Sequence, residues 1–204
     1  MVKRIICVTD GDGVAVKAVT AATRALGLGC VLQSAGNPTD CTYDQLLENV
    51  MNSQYEVTVI LFDDAGQPYE GRGEEYMIRL TYEHEIKIIG ALAVASAERS
   101  GDWTKVDISI DRYKHLSEWG VDKEGFPDIE ENRIHGDTVY SLDQLQIPYI
   151  VGIGDLGKMG GRDDPKRGSP VTQTALQLIL KRGDTNVKND RALRENVNTK
   201  YKKE

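Results

Sequence analysis

The sequence predicts an α/β fold: a single three-layer domain with a mainly parallel, doubly wound sheet, plus a small antiparallel β-insert or edge extension. Three observations carry that expectation. Apolar runs at 5–8, 57–62, 86–96 and 149–153 have the length of buried strands, and segments with helical spacing alternate with them. These runs end abruptly, most of them in loops rich in Gly and Asp, and in open α/β sheets the carboxyl ends of strands are where ligands sit. The length of 204 residues is enough for one ordinary α/β core, and a second domain would be a squeeze.

The elements follow in order. Ile5-Ile6-Cys7-Val8 is too short for a buried helix and breaks at Thr9-Asp10-Gly11-Asp12-Gly13, which predicts a strand running into a βα turn. Val14, Ala18, Ala22 and Ala25 then recur at helical spacing until Gly27 and Gly29 stop the helix. Its small face predicts close packing. Cys30-Val31-Leu32 is a short second strand that opens into a loop, Ser34-Ala35-Gly36-Asn37-Pro38-Thr39. Leu46, Leu47, Val50 and Met51 place a helix over 44–53, capped by Thr42 or Asp44. Val57 to Phe62 is β-branched and apolar and ends in Asp63-Asp64-Ala65-Gly66. A helix carrying Met77, Ile78 and Leu80 follows, reaching as far as Glu85, and residues 86–96 form the longest apolar run, a central strand.

From 97 to 140 the pattern changes. Val106, Ile108 and Ile110 alternate with Asp107, Ser109 and Asp111, the period of a half-buried strand, and this region is the expected antiparallel insert. Leu142 and Leu145 mark a short helix, Tyr149 to Ile153 another buried strand, and Ser169-Pro170 opens the last helix with Ser as N-cap and Pro in its first turn. That divides the chain into an α/β domain over 1–183 and a polar C-terminal tail over 184–204, dominated by Asn, Lys, Arg and Glu.

Composition excludes several classes of function. A net charge of −7 argues against nucleic acid as a partner and against adsorption to anionic lipid. No apolar run approaches the roughly 18 to 20 residues of a membrane span, and no signal-peptide hydrophobic region follows Lys3 and Arg4. Cys7, Cys30 and Cys41 are odd in number and lack metal-ligand spacing.

Three strand ends carry carboxylates: Asp10 and Asp12, Asp63 and Asp64, and Asp155 with Asp163 and Asp164 farther along its loop. If those strands are neighbours, the carboxylates meet on one rim. Hard oxygen ligands suit Ca²⁺ or Mg²⁺, which makes Asp10, Asp12 and Asp63 candidate metal ligands, although no obligate cofactor is expected. The loop 154–169 sets Lys158 and Arg162 among glycines before a helix start, where an anion is favoured. The candidate ligand-binding set is therefore Asp10, Asp12, Asn37, Asp63, Asp155, Lys158 and Arg162. Every one of these has a structural reading as well, because acidic loop residues cap turns and helices and 154–169 reads equally as a surface loop. No catalytic residue emerges. There is no Gly-x-Ser-x-Gly elbow, Cys7 lies within a strand, and His84, His115 and His135 are not paired at helical spacing.

Taken together, Thr9-Asp10-Gly11-Asp12, Ala35-Gly36-Asn37-Pro38-Thr39, Phe62-Asp63-Asp64, Gly90-Ala91-Leu92-Ala93-Val94-Ala95-Ser96, Asp107-Ile108-Ser109-Ile110-Asp111-Arg112, Gly120-Val121-Asp122-Lys123, Gly136-Asp137-Thr138 and Val151-Gly152-Ile153-Gly154-Asp155-Leu156-Gly157-Lys158-Met159 resemble the stage V sporulation protein AE family, in its soluble form, of spore-forming Firmicutes. The likeness covers about residues 3–183. It implies a soluble, non-catalytic accessory subunit of the SpoVA group, which moves dipicolinic acid with Ca²⁺ into the developing spore and releases it in germination. The implied partners are other SpoVA proteins, with calcium dipicolinate a candidate ligand. The implied place is the spore, peripheral at the inner spore membrane without direct insertion. The resemblance brings no catalytic residues with it. Two alternatives stay open: a metal-dependent enzyme acting on a phosphate or carboxylate at the Asp10, Asp12, Asp63 rim, and a calcium dipicolinate sensor that joins this rim to Lys158 and Arg162 in one cleft.

Overall fold

Ile5, Ile6, Cys7 and Val8 are all fully buried, as a strand covered on both faces requires. In the computed structural model, which describes residues 2–65, 71–96, 103–136 and 138–182, they form β1 (Lys3–Val8) near the middle of a seven-stranded sheet. The expected tail at 184–204 lies outside the described residues. β1 pairs in parallel with β3 (Val57–Leu61) on one side and β4 (Ile86–Val94) on the other. The sheet order is β2-β3-β1-β4-β11-β6-β7, with β2 at Gly29–Val31, β6 at Ile108–Ile110, β7 at Leu116–Ser117 and β11 at Ile150–Ile153. Only the edge pair β6 and β7 is antiparallel.

Alternation along β1 divides the core in two. Ile6 and Val8 face α1 (Gly13–Leu26) and α4 (Pro170–Arg182), which bring Ala15, Ala18, Val19 and Ala22, and Val171, Ala175, Leu176 and Ile179. Ile5 and Cys7 face α2 (Tyr43–Asn52) and α3 (Arg72–Leu80) through Leu46, Val50, Met77 and Leu80. Each buried aliphatic side chain contributes about 1.5–3 kcal/mol of transfer free energy. The result is the expected helix, sheet, helix layering.

Local signals set the helix ends. Asp12 caps α1 by accepting from the N–H groups of Val14 and Ala15, and Gly27, at φ 67°, ends it in the left-handed conformation. Thr42 and Gln45 form a reciprocal capping box at the start of α2. α4 departs from expectation. Ser169 does not cap it, and its buried Oγ has no hydrogen-bond partner among the described residues. Asp163 reaches in instead, its Oδ1 accepting from the N–H groups of Val171 and Thr172 at 2.8 and 2.9 Å.

The 103–136 region also has a finer construction than its alternating pattern implies. β6 continues the main sheet in parallel with β11, so the extended edge is antiparallel only at β7. The remaining strands make two separate antiparallel pairs, β5 (Trp103–Lys105) with β10 (Arg133–His135) and β8 (Trp119–Val121) with β9 (Pro127–Glu131). α3 stops at Leu80, and the segment expected as a short helix near 142 is a 3-10 turn over Tyr140–Gln144. Val106, Ile134, Val139 and Leu142 place this region on the α2 and α3 face. Chain leaving β1 therefore turns to one face, while chain leaving its neighbours β3 and β4 turns to the other. That divergence opens a crevice at the carboxyl end of β1.

Candidate functional site

The crevice is held open by backbone contacts that its sequence makes obligatory. A Cβ on Gly11 would lie 2.6 Å from Gly36 O and 2.9 Å from Asp63 Cβ, so only glycine fits between the loops that follow β1, β2 and β3. Gly36 N–H donates to Gly11 O at 3.1 Å, and Gly11 N–H donates to Asp63 Oδ2 at 3.3 Å. Thr39 N–H donates to Asp63 O at 2.8 Å and Asp63 N–H returns to Thr39 Oγ1 at 3.0 Å. The Asn37–Pro38 peptide in this loop is cis. Thr9 Oγ1 accepts from Val94 N–H at 3.0 Å and ties the β1 loop to the end of β4.

These loops surround a cavity of about 180 Å³ lined by Thr9, Asp10, Asp12, Asn37, Asp63, Ser96, Thr138, Asp155 and Lys158. Six of the seven candidate ligand-binding residues thus come to one place. Arg162 does not. Its guanidinium lies over the Tyr113 ring, 4.9 Å from the centroid, because the chain turns away through a tight Met159–Gly161 segment. A cavity of about 470 Å³ opens at the other end of β4, but Leu80, Ile86, Ile88, Leu145 and its other lining residues include no charged side chain. The smaller cavity holds the chemistry.

Its electrostatics divide the carboxylates by role. Asp12 accepts at Oδ1 from Val14 and Ala15 N–H, both at 2.7 Å, and its Oδ2 lies 3.1 Å from Lys158 Nζ. Partial burial opposes its charge, yet these bonds and the ammonium outweigh that and hold the carboxyl below its ordinary range. Lys158 Nζ also lies 3.0 Å from Asp155 Oδ2. Burial nevertheless raises the Asp155 carboxyl, with the lysine pulling the other way. Asp63 accepts from Ala65 N–H at 2.8 Å as well as from Gly11, so it braces the turn.

Asp10 is different. It is 8% exposed, and the one hydrogen bond it makes among the described residues is from Asp12 N–H to Oδ1 at 3.1 Å. Burial pushes its carboxyl up to about 7, and the nearby charges of Asp12, Asp155 and Asp63 add to the rise while the Asp12 N–H opposes it. Asp10, Asp12 and Asp63 share the cavity. Among the described residues, however, no three carboxylate, histidine or cysteine side chains stand close enough to hold a metal ion.

Sequence reasoning did not single out Thr9, Ser96 and Thr138. Thr9 follows β1 directly and Ser96 lies two residues beyond β4, so their position past the strand ends was the available signal. Thr138 had none. It reaches the cavity from beyond the β-insert, where its Oγ1 accepts from Asp64 N–H at 3.2 Å.

All nine lining residues fall within a span that a family model recognises. The model described as SpoVAE, stage V sporulation protein AE1, matches residues 4–183. The chain belongs to the SpoVAE family. It is therefore a sporulation protein of the SpoVA group. No curated protein and no solved structure matches it. Among the described residues of this SpoVAE chain, no helix is long and apolar enough to cross a membrane.

Proposed function

We propose that this SpoVAE chain is a non-catalytic accessory subunit of the SpoVA assembly, serving the movement of dipicolinic acid and Ca²⁺ in spore formation and germination. The observation that carries the reading is the family match over residues 4–183. The chemistry of the cavity supports it. The Thr9 and Thr138 hydroxyls accept from backbone N–H groups rather than pairing with a base, and the Cys7 and Cys30 thiols are pushed up to about 12 by burial, too high to act as thiolates. A peripheral position at the inner spore membrane, held through protein partners, fits the acidic charge of the chain and its lack of a membrane-crossing helix among the described residues.

Direct capture of calcium dipicolinate in this cavity is the weaker reading. It needs Lys158 and Arg162 in one cleft, and Arg162 stacks elsewhere. The lining carries four aspartates against one lysine that two of them already hold, which disfavours a dicarboxylate. The test of the accessory role is purification of a tagged chain from spore membranes. Other SpoVA proteins should be recovered with it, and loss of a membrane-embedded SpoVA subunit should release it. Recovery of the chain from membranes without any SpoVA protein would overturn the reading.

A further inference from the structure

We propose that the joint between α3 and the 3-10 turn over Tyr140–Gln144 is a pH-sensitive latch, in which the turn is held down while Glu74 carries a proton and loosens when Glu74 ionises beside Asp64. Both carboxyl groups sit at the start of α3 and both are buried, Asp64 at 1% exposed and Glu74 at 5%. Gly71, at the N-cap position, has no side chain with which to cap the helix. Asp64 does so from the loop after β3, its Oδ1 accepting from the N–H groups of Gly73 at 2.6 Å and Glu74 at 3.4 Å. Glycine makes this approach possible. A Cβ on Gly71 would collide with the Asp64 carboxyl, and one on Gly73 would lie 2.8 Å from Asp63 N.

Glu74 faces the turn as well as Asp64. Its Oε1 accepts from Ser141 N–H at 3.2 Å, so one side chain of α3 holds the first residues of the turn. The other charged groups nearby are engaged elsewhere. On α3, Arg72 reaches Thr39 O at 3.4 Å, and Glu75 and Arg79 pair with each other at 3.4 Å on the exposed side. On the turn, Asp143 accepts from Thr104 Oγ1 at 2.7 Å and Lys105 N–H at 3.1 Å, both in β5. Among the described residues, no ion pair reaches Glu74, and the charge that acts on it is that of Asp64.

Two effects compete at this carboxyl. A hydrogen bond to an ionised acceptor is stronger than one to a neutral acceptor, so the Ser141 N–H favours the charged form. Burial and Asp64 favour the neutral form, and they win. Burial raises the Glu74 carboxyl above its ordinary range and the Asp64 charge adds to the rise, while the N–H groups of Ser141 and Gly71 and the Ser141 hydroxyl, near but short of a full hydrogen bond, oppose it. Water can relieve the buried charge only if something moves, and the turn is the piece able to. α3 is fixed in the core by Met77 and Leu80. The turn is five residues of 3-10 helix, of which Tyr140, Asp143 and Gln144 are exposed, leaving Ser141 and Leu142 as its buried anchors. Because Asp143 holds β5, loosening the turn also slackens the hold of α3 on the β5 and β10 pair. The closed joint binds the Glu74 proton more tightly than the open one, so closure is favoured at low pH and is lost as pH rises through the raised Glu74 value. The inference holds whether or not the chain docks on SpoVA proteins, and its test uses no partner.

Amide hydrogen exchange of the full-length protein would be measured from about pH 4 to 8, each rate being divided by the intrinsic rate at that pH and residues 140–144 compared with β1. Relative protection of 140–144 should fall as pH rises, by about tenfold for each pH unit by which Glu74 titrates above a solvated glutamate. Glu74→Gln, which keeps an acceptor for Ser141 and cannot ionise, should hold that protection constant. If this variant does not fold, a carbon-13 titration of the Glu74 carboxyl in wild type carries the test, since its midpoint should coincide with the loss of protection. Protection of 140–144 that stays level with pH in wild type overturns the inference, as does a fall that Glu74→Gln retains or a Glu74 midpoint separate from the fall.

Discussion

Asp10 and Asp163 look alike in the sequence, each an aspartate in a glycine-containing loop between a strand and a helix, yet their surroundings in the fold are opposite. Asp163 is fully buried and accepts four hydrogen bonds, from the N–H groups of Gly157, Val171 and Thr172 and from Thr172 Oγ1, at 2.6 to 2.9 Å. It sews the 154–169 loop to the start of α4. Asp10 is nearly as buried and accepts one among the described residues. The first carboxylate completes a structure; the second borders the cavity with little support from the chain. Residue type and loop setting do not separate the two. The supply of donors does.

The largest expected effect breaks the structural side of that comparison. Asp163→Ala leaves three backbone N–H groups and a hydroxyl buried without their acceptor and should cost about 4 kcal/mol or more, measured by urea unfolding at pH 7. A loss under about 1 kcal/mol would mean that the loop finds other partners.

Asp10→Asn should act in the opposite direction. The folded-state carboxyl at about 7 stands above the ordinary unfolded value near 4. Between those values the folded protein binds the proton more tightly than the unfolded chain, so ionising Asp10 destabilises the fold progressively as pH rises, and the penalty is constant above about 7. The variant escapes it. Its stability relative to wild type should be near zero at pH 4, climb to pH 7 and level off, with a gain of about 2–4 kcal/mol. A difference that falls over this range would contradict the sign.

Smaller effects sharpen the middle of the comparison, where Asp12 serves both structure and site. Asp12→Ala removes the α1 cap and should cost about 1 kcal/mol, while Asp12→Asn, which keeps an acceptor for Val14 and Ala15, should recover most of it in thermal unfolding. Lys158→Met breaks two ion pairs at a side chain that is 44% exposed and should change stability by no more than about 1 kcal/mol. Its clearer signature is electrostatic: removing the ammonium should raise the Asp12 and Asp155 carboxyls, observable in a proton-release titration.

The sequence was most informative where one residue pattern had one physical solution. Uninterrupted apolar runs bounded by glycine could only be strands covered on both faces, so β1, β3, β4 and β11 and the helices between them were legible. The 103–136 region was not, because an alternating run such as Val106 to Asp111 has the same period whether its neighbour is parallel or antiparallel. Only the arrival of β11 beside it decides. The same limit applied to the cavity. Asp10, Asp12 and Asp63 were visible as strand-end residues, but Thr138 reaches them by a route that depends on sheet order, and Arg162 leaves them because Met159–Gly161 turns the chain. Ser169 misled for a related reason: a cap preference is local, and Asp163 supplies the cap from six residues upstream.

The most direct test of the contrast is a carbon-13 titration of the side-chain carboxyl groups in wild type and Asp10→Asn. The account predicts one carboxyl that titrates at about 7 and is absent from the variant. An Asp10 that titrates near 4, as a solvated aspartate does, would show that water satisfies it and would contradict the contrast with Asp163.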